Sequence, residues 1–555
     1  MVGRRAVHVD IASFIPAVLG AVLLLWAGAP FCDALEVGSG KYVPEQSRAG
    51  AEAAGKKMAS SSLKLYIPES LKPGEKLRGY YRYIFNQSGD SPVLREFAER
   101  AKFAIGPRIE PQGLRDIGDD WGHPELETIP TTYYGHSAGG IAPWWEATDP
   151  SRITGALALI AHHSLVFEAA IPMGVGWWGE VPGQTFKFKP HVEKEMARGE
   201  LPVWSIVGAR DQHQILTPLN LQAAAAVSGL GWKWTFAQGH GEAHGSNHME
   251  ALKLQTLWLE DVADLRGAGE GPLTPIDETE CWVGYIELFQ DEWFDDFLTH
   301  HPAFRVAKVE AYPYAEAPGK GVVKFEEQGR YGGYVWLPSK RFAHAWVNYH
   351  RTASIDGDAT PRILTDWWLS LTDTTQEGLG WVNHADFVTL LNLDKLGATE
   401  KDVRWELLEP RPEAIDLAAN GRLTSKDLKQ GVYRLRLRAT VKDRTFEDDW
   451  YVGLRGAEDD DPLEFAVHWG AGRATAGKPF PIEWNASLPL GLLQWNSSID
   501  GELGTAFGDL GTSGTATLQD LTPGTHLITF LAYSAAPETC RQATSFLLEV
   551  QGNAR

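Results

Sequence analysis

One serine set between two glycines is the strongest chemical signal in this sequence. Gly135, Ser137 and Gly139 form a G-x-S-x-G motif, which follows the apolar run Thr131–Tyr134 and precedes a predicted helix. Small residues on both sides of a serine allow the sharp strand-to-helix turn that presents a nucleophile. At a helix amino terminus, the backbone amide of Ala138 can stabilise an oxyanion. The motif therefore predicts that Ser137 is a nucleophile, and the alternative is a glycine-rich structural turn.

A carboxylate follows a later strand pattern. Val203–Gly208 is typical of a buried strand, and Asp211 comes shortly after its end. In serine-based catalysis a carboxylate orients the imidazole that accepts the serine proton. We predict that Asp211 is this acid, and the alternative is a surface aspartate that caps a turn.

Three histidines follow the next strand pattern, Trp232–Ala237. His244 lies in the loop immediately before the residues that can cap the following helix, and we predict that it is the general base. His240 is the alternative base, and His248 is a third candidate. The spacing of four residues could instead suit a metal site on a helix, but the glycines between the histidines argue against a helix, and no H-E-x-x-H motif is present.

The elements that must position these residues alternate between two patterns. Helix-like stretches lie between several strand-like runs, which indicates an α/β fold with a mainly parallel sheet and helices on both faces. In such a sheet the reactive groups belong on the loops at the carboxyl ends of the strands. The predicted strands are Leu63–Pro68, Gly79–Asn86, Lys102–Gly106, Thr131–Tyr134, Thr154–Ala161, Val203–Gly208 and Lys233–Ala237, and the predicted helices include Pro92–Ala101 and His248–Asp264.

These motifs, in the order serine, acid, histidine, resemble those of the α/β-hydrolase superfamily over roughly residues 62–265. The sequence is similar to secreted bacterial esterases of the dienelactone-hydrolase and polyester-depolymerase kind, in which a loop like Glu242–Gly245 supplies the base. The resemblance implies hydrolysis of carboxylic esters through an acyl-enzyme, without a cofactor. One departure concerns the oxyanion hole, because the family's His-Gly pair after the third strand is replaced here by residues 85–89. The backbone amide of Gln87 or Ser88 would have to supply the second donor.

Paired tryptophans flank the predicted site. Trp177 and Trp178 lie among glycines in a region where, by the same resemblance, insertions cover the substrate, and we predict that they form a pocket wall. Trp144 and Trp145, which follow the nucleophile, suit core packing better. An aromatic wall beside a serine nucleophile suits an acyl group or an aromatic ester.

The composition excludes one class of partner. Asp and Glu number 72 against 51 Lys and Arg, which gives a formal net charge of −21. Because nucleic-acid binders neutralise phosphates with basic side chains, this balance excludes nucleic-acid binding. Cys281 and Cys540 are the cysteines beyond the first 34 residues, and no C-x-x-C pair is present, so the sequence predicts neither a disulfide framework nor a metal site.

The first 34 residues have the pattern of a targeting segment. Arg4 and Arg5 precede the apolar stretch Ile11–Phe31, and small residues follow it. This order predicts a secretory signal peptide cleaved after Ala34, with retention as a membrane anchor as the alternative. We expect a secreted or cell-envelope protein, in which residues 35–61 form a flexible leader.

The pattern changes to short alternating runs after residue 266. Residues 266–353 predict an irregular extension packed on the hydrolase domain, and residues 354–456 a degenerate β-sandwich. In residues 463–552, an S-x-x-D-G-x-L-G run at residues 497–504 and an L-x-P-G-x-H run at residues 521–526 resemble two turns of bacterial immunoglobulin-like modules of the PKD type. The resemblance implies a β-sandwich that attaches the enzyme to a cell surface or an insoluble substrate. The acidic run at residues 458–461 is a predicted linker, and we expect few contacts to cross it.

Together these patterns predict an exported serine hydrolase, most simply a carboxylesterase. Its substrate would be an ester, either small or part of a polymer or a carbohydrate. One alternative is a serine peptidase on the same fold, since a triad serves both leaving groups. The other is a non-catalytic adhesion or binding protein that uses the hydrolase fold as a scaffold.

Overall fold

A computed structural model gives the fold of most of the chain. It describes residues 65–72, 74–84, 91–107, 109, 111–136, 146–147, 155–162, 201–209, 220–221, 224–225, 232–242, 248–269, 271–295, 300–319, 323–326, 330–364, 386–425, 431–454, 463–469, 473–535 and 541–552.

The amino-terminal half is built on a parallel β-sheet. Among the described residues, six strands pair in the order β2-β1-β3-β4-β5-β6, and every pair is parallel. In chain order the elements are β1 (Gly79–Ile84), α1 (Pro92–Ala101), β2 (Phe103–Pro107), α2 (Pro111–Trp121), β3 (Thr131–His136), β4 (Ala156–His162), β5 (Val203–Gly208), β6 (Trp234–Gly239) and α3 (Met249–Leu265). The predicted α/β fold class is confirmed.

Helices cover both faces of this sheet. Successive side chains of a strand point to opposite faces, and the two tyrosines at the start of β1 pack in different cores. Tyr81 contacts Phe97 of α1, whereas Tyr80 belongs to the cluster that includes Leu114 and Ile117 of α2. Because both faces are covered, the central strand β4 is buried along its whole length and its sequence is almost continuously apolar.

The first predicted strand, Leu63–Pro68, is not a strand in the described residues. Tyr66 makes a single antiparallel bridge to Ile105. The side chain of Tyr66 is instead tied to α1, because its hydroxyl donates to Glu99 at 2.5 Å. This side-chain contact holds the segment across the end of the helix, where it cannot extend the parallel ladder.

The stretch after α3 has regular structure where the sequence predicts an irregular extension. Four strands form an antiparallel sheet in the order β8-β7-β10-β9, and helix α4 follows. These elements are β7 (Trp282–Asp295), β8 (His300–Pro313), β9 (Val323–Glu326), β10 (Arg330–Leu337) and α4 (Lys340–Thr352). The β7–β8 pair contains two register shifts, which interrupt the alternation that marks a strand in a sequence. Apolar side chains of β7, β8, β10 and α4 join the same core as the parallel sheet, so the two sheets pack together.

Helix α4 lies along the free edge of β6. The indole Nε1 of Trp346 donates to the carbonyl of Phe236 at 2.9 Å, and the amide of Gln238 donates to Nε2 of His350 at 3.0 Å. Four residues of a helix rise about 6 Å and two residues of a strand about 6.6 Å, so the two spacings match. The side chains of α4 thus satisfy edge groups of β6 that a further strand would otherwise bind.

The carboxyl-terminal half is all-β. Three small sheets, β11-β13, β12-β16-β15 and β14-β17-β18, enclose one apolar cluster, and two sheets, β19-β21-β24 and β20-β26-β25-β22-β23, enclose another. The strands are β11 (Ile363–Leu364), β12 (Asp386–Phe387), β13 (Thr389–Leu390), β14 (Val403–Leu408), β15 (Ile415–Leu417), β16 (Arg422–Ser425), β17 (Gly431–Val441), β18 (Arg444–Leu454), β19 (Phe465–His468), β20 (Ala474–Thr475), β21 (Phe480–Ala486), β22 (Leu490–Ser497), β23 (Gly501–Phe507), β24 (Ser513–Leu518), β25 (Gly524–Ser534) and β26 (Arg541–Gln551). An α/β half followed by all-β sandwich-type domains is the order that the sequence predicts.

A buried arginine joins the last sandwich to the parallel-sheet domain. Arg95 of α1 is 1% exposed, and its guanidinium donates to Oγ of Ser545 at 3.0 Å and to the carbonyl of Ala543 at 3.3 Å. The guanidinium also lies 4.8 Å from the ring centroid of Tyr66. This buried contact crosses the acidic linker, where the sequence predicts few contacts. A local pattern could not indicate this contact, because Arg95 and Ser545 are 450 residues apart in the chain.

Cys281 is a free and buried thiol. Burial raises the pKa of the Cys281 thiol to about 11, so it is protonated at neutral pH. Cys540 lies outside the described residues. In the part of the chain that the structure describes, no helix has both the length and the apolar character needed to cross a membrane.

Candidate active site

The carboxyl ends of the parallel strands meet at one edge of the sheet. The register pairs Ile84 with Gly135, His136 with His162, His162 with Ile206, and Gly208 with Gly239. The strands β1, β3 and β4 therefore end within one residue of each other, and β5 and β6 end together two residues farther along. At a strand spacing of about 4.8 Å, the ends of β3 and β5 are about 10 Å apart. Loops that leave these ends can therefore bring their side chains to a common point above the sheet.

The predicted site residues follow these strand ends. Ser137 comes directly after the last residue of β3, Gln87 and Asp211 follow the ends of β1 and β5, and His240 and His244 follow the end of β6. His240 is described. The other predicted site residues lie outside the described residues, so their roles remain predictions. They are Ser137, Ala138, Gln87, Asp211, His244, Trp177 and Trp178.

The chain that leads to Asp211 is held on both sides. The amide of Ala209 donates to the carbonyl of Gly239 at 2.7 Å, and the carbonyl of Ala209 accepts from the amide of Phe304 at 2.9 Å. Phe304 belongs to β8, and its side chain is buried in the common core. The antiparallel sheet therefore anchors Ala209, two residues before the predicted acid in the chain, a role that the sequence did not indicate.

His240, the alternative base, packs against α4. Its ring meets Tyr349 edge-on at 5.2 Å between centroids and lies 6.5 Å from His350. Burial lowers the pKa of His240 to about 4, so the imidazole is neutral at pH 7. Its Nε2 is buried and has no hydrogen-bond partner among the described residues. These contacts assign His240 a place in the packing between β6 and α4.

A buried polar cluster lies at the carboxyl ends of β3 and β4. The hydroxyl of Tyr134 and Nδ1 of His162 share a hydrogen bond at 3.0 Å, and the ring of His136 meets that of His162 at 5.3 Å between centroids. Burial first, and then the neighbouring Tyr81 and Glu242, raise the pKa of Tyr134 well above its ordinary value. The phenol is therefore protonated, and it fixes the ends of β3 and β4 relative to each other.

An ion pair on the other face of the sheet ties the segment after Ser137 to β1. Arg82 contacts the carboxylate of Glu146 at 2.6 Å, and both side chains are largely buried. The guanidinium of Arg82 also lies 5.4 Å from the ring centroid of Tyr133. Sequence analysis missed this pair, because nothing in the local pattern around Glu146 indicates a partner in a preceding strand.

Glu242 is the second residue that sequence analysis left without a role. It is fully buried, although it lies in a glycine-rich loop, and its Oε1 accepts from the amide of His248 at 3.3 Å. A carboxylate that follows Gly241 and lies between the candidate bases in the sequence was the available signal. Within the described residues, no group of three or more His, Cys, Asp and Glu is arranged to hold a metal ion.

Comparisons with known proteins give partial likenesses. No protein-family model matches the chain, and no curated protein matches it. A soluble variant of monoglyceride lipase from Saccharomyces cerevisiae, solved with a substrate analogue, is similar at 10% identity over 36% of this chain and 91% of the lipase, with a TM-score of 0.22. The fibronectin(III)-like modules of Clostridium thermocellum CbhA are similar at 13% identity over 27% of this chain and 87% of theirs, with a TM-score of 0.14. Extracellular cadherin domains 3–6 of protocadherin gamma B2 are similar at 14% identity over 30% of this chain and 41% of that chain, with a TM-score of 0.13.

Proposed function

We propose that this protein is an exported serine hydrolase that cleaves carboxylic esters through an acyl-enzyme on Ser137. His244 takes the proton from the serine and returns it to the leaving group, while Asp211 orients the imidazole. The amides of Ala138 and Gln87 bind the oxyanion, and Trp177 and Trp178 line the acyl pocket. Export by residues 1–34 and attachment through the last sandwich belong to the same proposal.

The observation that carries the proposal is the order of the strands at the carboxyl edge. The loops with the predicted oxyanion donor, nucleophile, acid and base leave β1, β3, β5 and β6, which are strands of one parallel sheet whose carboxyl ends lie at the same edge, within three residues of one another in register. Groups from separate loops can converge only at such an edge, because the amino ends of the same strands lie at the opposite side. This arrangement supports an active site there.

Replacement of the nucleophile tests the proposal. We expect Ser137→Ala in the full-length chain to lower kcat/KM for a short-chain aryl ester by at least about a thousandfold, because no other group can form the acyl-enzyme. It should also abolish labelling by a fluorophosphonate probe. Ser513→Ala is the matched control, since Ser513 is an exposed serine on β24 and should change neither result.

The same experiment separates the alternatives. Turnover of a peptide amide that equals turnover of the ester would favour a serine peptidase. Absence of both labelling and ester turnover in the folded wild-type chain would contradict the hydrolase and favour a binding protein. Undiminished turnover by Ser137→Ala would remove Ser137 from the mechanism.

A further inference from the structure

A groove lies between helix α4 and strand β8. It has a volume of about 510 Å³ and is open to solvent. Small-molecule sites in proteins have volumes of about 300–1,000 Å³, so the groove is large enough to hold a ligand. One wall is β8, which is an edge strand of its sheet among the described residues, and the other wall is a face of α4.

Helix α4 lines the groove with the face that points away from the core. His344, Val347 and Arg351 line the groove, and residues three or four apart lie on the same side of a helix. The buried side chains of the helix, which include Trp346 and His350, lie on the opposite side and bind β6. Only the thickness of a helix, about 10 Å, therefore separates the groove from the parallel sheet.

Trp282, at the start of β7, gives the groove an aromatic surface. Its side chain is half-buried, and its indole ring meets the ring of His344 at 6.0 Å between centroids, with an interplanar angle of 78°. Edge-to-face contact of this kind is a favoured arrangement of two rings. Ala311 lines the groove with only a methyl group, which leaves space beside the strand. A flat and partly exposed apolar surface is thus available to a ligand.

The charged groups of the groove offer both acceptors and donors. The carboxylate of Glu310 accepts from the hydroxyl of Tyr312 at 2.5 Å and from Nζ of Lys308 at 2.9 Å, in both cases through Oε2. These bonds, that from Lys308 first, hold the pKa of Glu310 below its ordinary value, so the group is charged at neutral pH. Nη2 of Arg351 donates to the carbonyl of Val309 at 3.2 Å, which holds the guanidinium beside the strand. Oε1 of the carboxylate and the other N–H groups of the guanidinium can still bind a ligand.

This combination of groups suits an uncharged ligand with several hydroxyls. Because a hydroxyl both donates and accepts, a row of hydroxyls can pair with a carboxylate and a guanidinium at once. An acyl chain would cover both charges without pairing them, which is costly, and an ionic ligand would meet one charge of its own sign. A sugar ring also has apolar C–H groups, which can pack on an indole.

A peptide strand is the other kind of ligand that the edge of a sheet can bind. It would add to β8 through backbone hydrogen bonds along the edge. However, Arg351 already binds the carbonyl of Val309, and the side chains of α4 stand along the same edge. These contacts favour a small polar ligand over an added strand.

We propose that this groove binds a neutral saccharide, whose ring packs on Trp282 and whose hydroxyls bind Glu310 and Arg351. The groove contains none of the residues predicted for the triad, so the proposal stands independently of the proposed function. A glycan in the groove would lie alongside the parallel sheet, on the far side of α4.

A glycan array that carries neutral and acidic oligosaccharides tests the proposal with the full-length chain. We expect retention on neutral oligosaccharides, and calorimetry with a retained oligosaccharide then gives the association constant. Trp282→Ala should lower this constant by at least about tenfold, because the sugar ring loses its apolar support. Glu310→Gln should lower it by about fivefold, since a hydrogen bond to a charged acceptor is stronger than one to an amide.

Two control variants match these changes. Glu287→Gln alters a carboxylate on the neighbouring strand that also accepts from a tyrosine hydroxyl two residues away, at 3.2 Å, but lies outside the groove. Trp469→Ala removes a tryptophan of the last sandwich that is 41% exposed. Both variants should bind the oligosaccharide as the wild type does. Thermal unfolding verifies that each variant is folded, and if Trp282→Ala is not, the comparison of Glu310→Gln with Glu287→Gln decides.

Several results would overturn the proposal. One is retention of no oligosaccharide, or of acidic ones alone. Another is an association constant that falls in Trp469→Ala but not in Glu310→Gln, which would place the site on the sandwich. Equal losses in Glu310→Gln and Glu287→Gln would also overturn it, because the groove would then have no special part in binding. Retention of unstructured peptides on the same array, without oligosaccharides, would favour strand addition to β8 instead.

Discussion

His240 and His244 are four residues apart in the chain, and the packing of His240 bears on which of them is the base. His240 is neutral and packed against Tyr349, so it already contributes to the contact between β6 and α4. His244 lies outside the described residues, and its role stays a prediction. A general base must exchange its proton with a nucleophile above the sheet edge, and a ring packed against a helix is poorly placed to do so.

Substitution of the two histidines should give opposite results. We expect His244→Ala to lower kcat by about 10⁴-fold while the melting temperature changes little. His240→Ala should lower the melting temperature, because it removes the contact with Tyr349, and should change kcat by less than about tenfold. Ester kinetics and thermal unfolding on both variants decide the assignment, and the reverse ranking would transfer the base to His240.

At the scale of residues, the sequence predicts which candidate site residues follow which strands better than it predicts which side chains are in contact. The positions of Ser137, Asp211 and the histidines relative to predicted strands were sufficient to predict roles for them, because parallel strands bring successive loops to one edge; these roles stay predictions. The contacts of Glu146 with Arg82 and of Glu242 with His248 were not predictable. A buried ion pair depends on which side chains face each other after folding, and no local periodicity records that.

At the scale of elements, side chains of α4 bind the backbone groups at the edge of β6 that a neighbouring strand would otherwise bind. His350 accepts from the amide of Gln238 through Nε2, and its Nδ1 donates to the carbonyl of Trp346 at 2.7 Å. Only a neutral imidazole can make both bonds, and burial accordingly lowers the pKa of His350 to about 3. The hydrogen bond between α4 and the edge of β6 at Gln238 therefore depends on the protonation state of His350.

The stability of the protein should fall in acid for this reason. The folded pKa of His350 lies below the ordinary value of 6.5, so the unfolded chain takes up a proton first as the pH decreases. The stabilisation by the neutral ring is complete above about pH 6.5 and is lost as the pH falls toward 3, at up to about 1.4 kcal/mol per pH unit. His240 adds to this loss with the same sign, since its pKa is also lowered.

Variants on α4 separate the contribution of His350. We expect His350→Gln to reduce the decrease in free energy of unfolding between pH 7 and pH 4.5, as measured by urea denaturation. His344→Gln is the control, because His344 is an exposed residue on the same helix. If the free energy of unfolding of His350→Gln depends on pH as in the wild type, protonation of His350 does not weaken the contact between α4 and β6.

The elements themselves were partly predictable. Helix α1 has the bounds that the sequence predicts, since Pro92 marks its start. The alternation in β17 also predicts correctly that Leu435, Leu437 and Ala439 are buried. The β7–β8 pair was not recognised, because its register shifts break the two-residue period.

At the scale of the whole molecule, the last sandwich packs on two neighbours. Arg95 joins it to α1, and an apolar cluster that includes Leu492 and Tyr533 packs against Val432 and Tyr451 of the preceding β-domain. Removal of residues 463–555 would take away this cluster and expose Val432 and Tyr451, so we expect the truncated chain to be less stable than the full-length protein. The interpretation of the sandwich as a loosely tethered module does not fit these contacts.

Arg95 provides a sharper test than truncation. We expect Arg95→Met to lower the free energy of unfolding by about 2 kcal/mol, because the buried Ser545 and Ala543 acceptors lose a charged donor. Arg100→Met on the same helix should cost less than about 1 kcal/mol, since Arg100 is exposed and its partners are Glu96 and Glu260. Equal losses in urea denaturation would show that the interface contributes nothing specific.

The Arg95 contact also has a consequence for the order of synthesis. A ribosome releases α1 early, whereas Ser545 on β26 is made 450 residues later. Domains usually begin to fold as they are made, amino end first. A nascent chain that stops before residue 541 therefore leaves the arginine without these two acceptors, however well its parallel sheet has formed. The surface of the first domain around Arg95 is thus completed only after β26 has been synthesised.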